Sequence, residues 1–249
     1  MTEPLGLRDR KKRRTRDALS AAAVSLFLER GFERVSVAEV AAAAEVSKPT
    51  LFSYFPAKED LVLHRVLDHR GEAARVVRAR SADQSPLAAL EAHFLAGLRQ
   101  HEPVTGLCDV PEVLAYHRLV FSTPSLLGRM AQYTAADEDA LADAFAEAAG
   151  SPAAQVDARL AAAAVLTVQR VLARENWHRL DAGAAAADVL PDAEAAARRA
   201  FGALAGLANL PGLASLPGLV DLPDRADRAD RADFPDRTDL QGRTVPGPG

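Results

Sequence analysis

Apolar residues recur every three to four positions along most of the chain, and this spacing predicts helices rather than strands. Isoleucine is absent and alanine is abundant, so helix propensity is high and strand propensity is low. The pattern predicts a helix ending near Arg30, two short helices over 36–55 and a helix from Lys58 to about Arg80. Five further helices are predicted from Pro86 to about residue 208. We therefore expect an all-α fold.

The stretch 36–55 has the local signals of two helices joined by a tight turn. Ser36 and Glu39 have the spacing of a capping box, in which each side chain bonds the other residue's backbone N–H. Ser47 is a second candidate N-cap, and Pro49 is tolerated only near a helix start. The second helix has an apolar side, so its polar and basic side chains are left for solvent. This arrangement is typical of a helix-turn-helix, whose second helix enters the DNA major groove.

An ordered set of short motifs across residues 13–73 resembles the DNA-binding domain of the tetracycline-repressor (TetR) family of bacterial regulators. The motifs are Leu26-Phe27 and Gly31-Phe32, Ser36 to Ala41, Val46 to Phe55, and Lys58 to Leu61. Glu45 departs from the family pattern, which usually has Gly at the turn. A left-handed conformation at Glu45 would cost roughly 1 kcal/mol. The resemblance implies a ligand-responsive repressor that binds a palindromic operator as a dimer.

The resemblance implies which side chains contact DNA. Residues of the helix 47–55 contact base edges, and flanking residues contact phosphates. Basic residues at the start of the first helix add phosphate or minor-groove contacts, with a solvated helix start as the alternative. Tyr54 is either a phosphate ligand or a half-buried aromatic, and Phe52 is either core or partly exposed to DNA. The predicted DNA-binding residues are Arg13, Arg14, Ser36, Ser47, Lys48, Pro49, Thr50, Ser53, Tyr54 and Lys58.

The helical body after residue 73 is where the resemblance places an effector pocket. We expect a small, largely apolar effector there, and plain core packing is the alternative for each apolar residue. Residues 117–126 also weakly resemble a subgroup linked to mycofactocin or acyl-CoA sensing. The candidate pocket residues are Phe94, Leu98, Tyr116, His117, Phe121, Met130, Tyr133 and Trp177.

Two long helices, about 153–180 and 189–208, close the helical body, with Asp188 as candidate N-cap of the second and Pro191 in its first turn. Both carry rows of small apolar residues that permit close approach of helices. The resemblance implies that such a pair forms the homodimer interface, and a core within one chain is the alternative. The predicted organisation is a basic flexible arm (1–12), a DNA-binding domain (13–73), an effector-binding and dimerisation domain (74–208) and a disordered tail rich in Pro, Gly and Asp-Arg repeats (209–249).

The charge distribution favours a DNA-binding amino-terminal part, although the formal net charge is −4. Residues 1–65 contain 12 Lys or Arg and 9 Asp or Glu, so the excess of acidic residues lies in the rest of the chain. The single cysteine, Cys108, excludes an internal disulfide and fits a reducing cytosol. No stretch approaches the roughly 20 apolar residues of a membrane span. We therefore expect a cytoplasmic protein without a membrane partner.

Two other functional classes compete with the regulator. A non-specific helical DNA-binding protein would need only the basic charge, which leaves the large helical body without a purpose. An all-α enzyme would need a catalytic constellation, and the six histidines show no metal-ligand spacing. No glycine-rich phosphate loop is present either, so no catalytic residue, metal or cofactor is predicted.

Overall fold

The computed structural model describes residues 6–67, 69–149 and 155–204, and this part of the chain is all-α, as predicted. The arm residues 1–5 and the predicted tail at 209–249 lie outside it. A short 3-10 helix, Pro103–Thr105, connects α6 to α7. The α-helices are α1 Leu7–Arg30, α2 Val37–Ala43, α3 Lys48–Tyr54, α4 Lys58–Leu67, α5 Glu72–Ala79, α6 Pro86–Arg99, α7 Pro111–Ser122, α8 Pro124–Ala149, α9 Gln155–Asp181 and α10 Ala186–Leu204.

Helix starts predicted from capping residues are found where the sequence places them. Ser36 and Glu39 form the complete capping box at α2. The Ser47 hydroxyl accepts a hydrogen bond from the Thr50 backbone N–H at 3.2 Å and caps α3, with Pro49 in the first turn. Local side-chain chemistry therefore fixes the ends of both short helices, because each cap satisfies an N–H that has no partner inside the helix.

Three helix boundaries differ from the prediction. The helix α1 begins at Leu7, so residues 7–12 are helical rather than a flexible arm. The predicted helix 58–80 is two helices, because Gly71 adopts a left-handed φ of 64° and its N–H donates to Asp137 of α8 at 2.9 Å. Asp188 lies inside the first turn of α10 instead of capping it, and Pro191 is an interior residue.

Two hydrophobic cores lie along the chain. The first packs α1 to α4 against Leu119 and Val120 of α7 and Leu126 at the start of α8. The second packs α5 and α6 against the far half of α8, α9 and α10, with Leu141 and Phe145 among its buried residues. The helix α8 thus contributes to both cores. It connects the helix-turn-helix part to the rest of the body through continuous packing.

The two terminal helices use their small apolar rows differently. The row on α10 that includes Val189, Ala193 and Ala197 is buried in the second core of the same chain. On α9, Val156, Leu160 and Val171 are 70%, 54% and 59% exposed. The row on α10 is therefore part of the core of its own chain, while α9 keeps an exposed apolar face. In the described residues, no helix is both long enough and apolar enough to cross a membrane.

Candidate functional site

The turn between α2 and α3 keeps the helix-turn-helix shape despite its glutamate. Glu45 adopts the left-handed conformation with φ 54°. The Val46 N–H donates to the Ala41 carbonyl at 2.9 Å, and the Glu45 N–H donates to Ala42 at 3.1 Å. The backbone therefore accepts the strain of a non-glycine residue in this conformation, which we put at about 1 kcal/mol or more.

The helix α3 is polarised between core and solvent. Leu51 and the capping residue Phe55 are buried, whereas Lys48, Pro49 and Thr50 are exposed. The Ser53 hydroxyl donates to the Thr50 carbonyl at 2.6 Å, and the Ser47 and Thr50 hydroxyls lie 2.7 Å apart. These bonds hold three short side chains close to the backbone. The exposed first turn of α3 thus presents small polar groups around one long cationic side chain.

Two aromatic residues of α3, Phe52 and Tyr54, differ in their exposure to solvent. Phe52 is 40% exposed, and the Lys48 ammonium lies 6.0 Å from the centre of its ring. Tyr54 is half-buried against the first core. Phe52 is therefore part of the exposed face of α3 rather than core, and Tyr54 has its ring in the protein.

Two predicted DNA-binding residues have partners inside the protein. The Lys58 ammonium donates to the Phe32 carbonyl at 2.6 Å and lies 4.2 Å from the centre of the Phe32 ring. This contact explains a lysine at a helix N-terminus, where the macrodipole alone favours anions. The Ser36 hydroxyl donates to the Glu39 carboxylate at 2.8 Å, and together with the Ser36 backbone N–H it lowers the pKa of Glu39. Both residues therefore stabilise the turn between α1 and α2.

The basic start of α1 lies beside the helix-turn-helix. Arg13 and Arg14 are exposed on this helix. A shallow groove is lined by Lys11 and Arg14 on one side and by the α2–α3 turn, with Glu45, on the other. The basic start of α1 thus lies next to the turn that precedes α3.

A cavity of about 410 Å³ lies in the helical body between α5 and α9, with mostly apolar walls. Such a volume is in the range of about 300–1,000 Å³ found for small-molecule sites. Of the eight residues predicted to line a pocket, the structure places six in this wall: Phe94, Tyr116, His117, Phe121, Met130 and Trp177.

The other two residues predicted to line a pocket, Leu98 and Tyr133, are not in the wall of this cavity. Leu98 is fully buried in the second core. The Tyr133 hydroxyl donates to Asp60 of α4, and the Arg129 guanidinium lies 5.2 Å from the centre of the Tyr133 ring. Both residues are on helices that line the cavity, but their side chains contact the second core and Asp60 instead.

The aromatic wall of the cavity is formed by α7 and α9. The Phe121 and Trp177 rings meet edge to face with centres 4.8 Å apart, and the Arg174 guanidinium lies 4.5 Å from the centre of the Phe121 ring. Burial lowers the pKa of His117, which keeps its imidazole neutral near pH 7. His117 Nδ1 and Trp177 Nε1 are buried without a hydrogen-bond partner among the described residues.

A polar cluster at the start of α5 and on α6, which the sequence did not predict, lines the same cavity. The Glu72 carboxylate accepts from His69 Nδ1, in the turn before α5, at 2.7 Å and forms an ion pair with His93 Nε2 of α6 at 3.2 Å. Asp137 lines the cavity beside this cluster and accepts from the Gly71 N–H. The cluster depends on the α4–α5 break, which periodicity alone did not reveal. In the part of the chain that the structure describes, no group of acidic, His and Cys side chains could hold a metal ion.

The helix α4 is held to the helical body at two points. The Tyr116 hydroxyl donates to the Val62 carbonyl at 2.9 Å, and burial raises the pKa of Tyr116, so this donor stays protonated. At the start of α4, the buried Asp60 accepts from Arg129 Nε at 2.9 Å and Nη2 at 3.1 Å. Burial acts to raise the pKa of Asp60, but the hydrogen bonds from Arg129 and Tyr133 outweigh it and lower the pKa overall.

Comparisons with known proteins agree with this geometry. A family model described as bacterial regulatory proteins of the tetR family matches residues 19–64. The chain is 34% identical over 183 residues to the HTH-type transcriptional regulator TcmR of Streptomyces glaucescens, which covers 71% of this chain and 79% of TcmR.

The chain is also similar in fold to solved structures. One of them is native NalD of Pseudomonas aeruginosa, the secondary repressor of the MexAB-OprM multidrug efflux pump. It is 17% identical, with a TM-score of 0.50, over 76% of this chain and 97% of NalD. GusR of Salmonella enterica is 21% identical, with a TM-score of 0.48, over 83% of this chain and 97% of GusR. At these identities, the NalD likeness concerns the fold alone.

Proposed function

The chain belongs to the TetR family of DNA-binding transcriptional regulators, and from this membership we propose that it is a ligand-responsive repressor that binds a palindromic operator as a homodimer. Membership makes it a regulator rather than an enzyme. The observation that carries the proposal is the exposed first turn of α3, with Lys48 at its centre and the basic start of α1 beside it. Its target is DNA, so its proposed place of action is the bacterial cytoplasm.

The proposed base contacts come from α3. Lys48 donates to a guanine edge, while Pro49 and the Thr50 methyl group contact thymine methyl groups, and Ser53 completes the surface. The proposed phosphate contacts come from Ser47 and Tyr54 on α3 and from Arg13 and Arg14 on α1. Ser36 and Lys58 support the surface through their internal bonds, and the two remaining N–H groups of Lys58 are free for a phosphate.

The proposed dimer uses the exposed apolar face of α9 that contains Val156, Leu160 and Val171. A two-fold dimer presents two copies of α3. Each copy contacts one half-site of an inverted repeat, and the two half-sites lie one helical turn apart. Repression follows by occlusion, because a bound dimer covers the DNA that the transcription machinery needs.

The proposed effector binds the 410 Å³ cavity and acts through α4. Tyr116 lines the cavity and also bonds the backbone of α4, so displacement of this side chain releases one attachment of the DNA-binding part. The weak resemblance of residues 117–126 to the mycofactocin-linked or acyl-CoA-sensing subgroup stays a prediction about effector class.

A nuclease-protection footprint on the protein's own upstream DNA tests the DNA-binding proposal. We expect a short protected palindrome that Lys48→Ala abolishes or weakens about tenfold or more, because one base contact contributes about 1–3 kcal/mol. Tyr54→Phe tests the phosphate contact. Arg99→Ala is the matched control, because it removes an exposed charge from α6, away from α3.

Three outcomes would contradict the proposal. Uniform, salt-sensitive coating without a boundary means that the basic surface binds any DNA, which is the non-specific alternative. A palindrome that Lys48→Ala leaves unchanged means that α3 does not read the sequence. A matching loss with Arg99→Ala would assign the effect to net charge rather than to α3.

A further inference from the structure

The cavity is chemically different at its two ends. At one end, the Glu72 carboxylate at the start of α5 contacts the imidazoles of His69, in the turn before α5, and of His93 on α6. On α7 and α9, the Phe121 and Trp177 rings form an aromatic wall. Met130 and Val120 are among the apolar residues of the cavity wall. A ligand that matches both ends needs an aromatic body and one polar group.

The hydrogen bonds of the cluster define that polar group. His69 Nδ1 donates to Glu72, and His93 Nε2 faces the other Glu72 oxygen at 3.2 Å as an ion pair, which leaves His69 Nε2 and His93 Nδ1 without a partner among the described residues. The free nitrogen of a neutral imidazole accepts a hydrogen bond, and that of a protonated imidazole donates one. A hydroxyl group can satisfy either state, because it both donates and accepts. A methyl group in the same place leaves the nitrogen unpaired.

The charges near the cluster disfavour an anionic ligand. Glu72 is the first residue of α5, and Asp137 of α8 bonds the Gly71 N–H beside it, so a ligand carboxylate placed there would face two carboxylates. The cavity's guanidinium groups, Arg170 and Arg174, are on α9 beside the aromatic wall instead. A neutral polar group therefore fits this end better than a negative one.

The aromatic wall accounts for the rest of the ligand. Aromatic rings pack well edge to face or offset against other rings, and such pairs contribute about 0.5–1.5 kcal/mol beyond the area they bury. Phe121 offers a face that the Arg174 guanidinium already contacts, and Trp177 is 5% exposed. We propose that the effector is a neutral hydroxylated aromatic compound, whose hydroxyl group bonds the His69–Glu72–His93 cluster while its ring packs against Phe121 and Trp177. This inference rests on the proposed role of the cavity as the effector site.

Four compounds with one naphthalene ring system test the ligand class on the full-length protein by equilibrium dialysis. They are 2-naphthol, 2-methylnaphthalene, 2-naphthoate and 2-(aminomethyl)naphthalene. We expect 2-naphthol to bind at least about fivefold tighter than 2-methylnaphthalene, because one hydrogen bond contributes about 1 kcal/mol. A purely apolar cavity would bind 2-methylnaphthalene more tightly than 2-naphthol. The order of the two affinities therefore shows whether the cavity binds a hydroxyl group.

Variants of His93 test where the hydroxyl group of the ligand binds. His93→Leu should remove the advantage of 2-naphthol and leave the affinity for 2-methylnaphthalene unchanged within about twofold. His93→Gln is the matched control, because its amide can still bond Glu72 and a hydroxyl group, and it should keep most of the advantage. An advantage that survives His93→Leu would overturn the assigned position.

The outcomes separate the inference from the proposed function. If 2-methylnaphthalene, the carboxylate or the ammonium compound binds tightest, the ligand class is wrong and the cavity remains an effector site. If none of the four compounds binds, the cavity is not an effector site for molecules of this size, and both proposals about it fail. The DNA footprint is independent of either result.

Discussion

Arg129→Met tests how α4 is attached to the helical body. Asp60 is 3% exposed and accepts two hydrogen bonds from Arg129, one from Tyr133 and one from the Ala57 N–H. Methionine keeps an unbranched apolar stem but removes both N–H donors to Asp60 and the positive charge. The variant therefore leaves a buried carboxylate with two of its four donors.

The expected cost follows from the burial of the two partners. Removing one partner of a fully buried ion pair costs about 3–5 kcal/mol. The Arg129 side chain is 32% exposed, so solvent screens part of the interaction, and we expect about 2–3 kcal/mol. For a chain of this size, that loss lowers the melting temperature by about 4–12 °C. Arg78→Met, which breaks an exposed pair with Glu147, is the matched control and should cost under about 1 kcal/mol.

The cost should depend on pH. In the native protein the pKa of Asp60 is lowered, so its stabilisation is present above the unfolded pKa of about 3.9 and is lost as the pH falls through the lower folded value. Without Arg129, burial remains as the largest influence and raises the pKa of Asp60. The variant's deficit should therefore be large at pH 7 and shrink on acidification, as followed by circular dichroism during thermal unfolding. A deficit equal to that of Arg78→Met, or one that is constant with pH, would refute this reasoning.

Further predictions concern the helix-turn-helix and its link to the cavity. Glu45→Gly should raise the melting temperature by relieving about 1 kcal/mol of strain, partly offset by the entropy of glycine in the unfolded chain, and an unchanged or lower value in thermal unfolding contradicts this. Ser47→Ala should cost about 1 kcal/mol and weaken operator binding in a mobility-shift assay, whereas Ser47→Thr keeps the cap. Tyr116→Phe should cost about 1 kcal/mol in urea unfolding, and no loss would mean that the hydrogen bond to the Val62 carbonyl does not stabilise the fold.

The parts of the fold that depend on neighbouring residues could be read from the sequence. Ser36, Glu39 and Ser47 act on backbone groups within three positions, so their spacing was enough to predict both short helices. The family resemblance marked Glu45 as a departure at the turn, and the structure keeps the left-handed conformation there. The break at Gly71 was missed, because a glycine inside a periodic pattern is ambiguous and the stabilising contact comes from the distant Asp137.

The candidate cavity was only partly predictable for the same reason. The family resemblance directed the prediction to large side chains of the helical body, and six of them lie in the cavity wall. Periodicity could not tell that Leu98 faces the second core or that Tyr133 reaches Asp60, because both depend on how helices cross. The His69–Glu72–His93 cluster also needs the α4–α5 break to bring its side chains together.

The attachments of α4 set a scale for the regulatory response. An effector shifts the DNA-binding equilibrium only by its differential affinity for the two arrangements of α4. If an occupant displaces Tyr116, it breaks one hydrogen bond to Val62, worth about 1 kcal/mol, which corresponds to roughly a fivefold change in an equilibrium constant. In the proposed homodimer, two protomers acting together would give roughly 25-fold. A larger response would require the occupant also to move Met130, which lies between Arg129 and Tyr133 on α8 and lines the same cavity. A ligand that fills the cavity without moving either residue should therefore bind without releasing DNA.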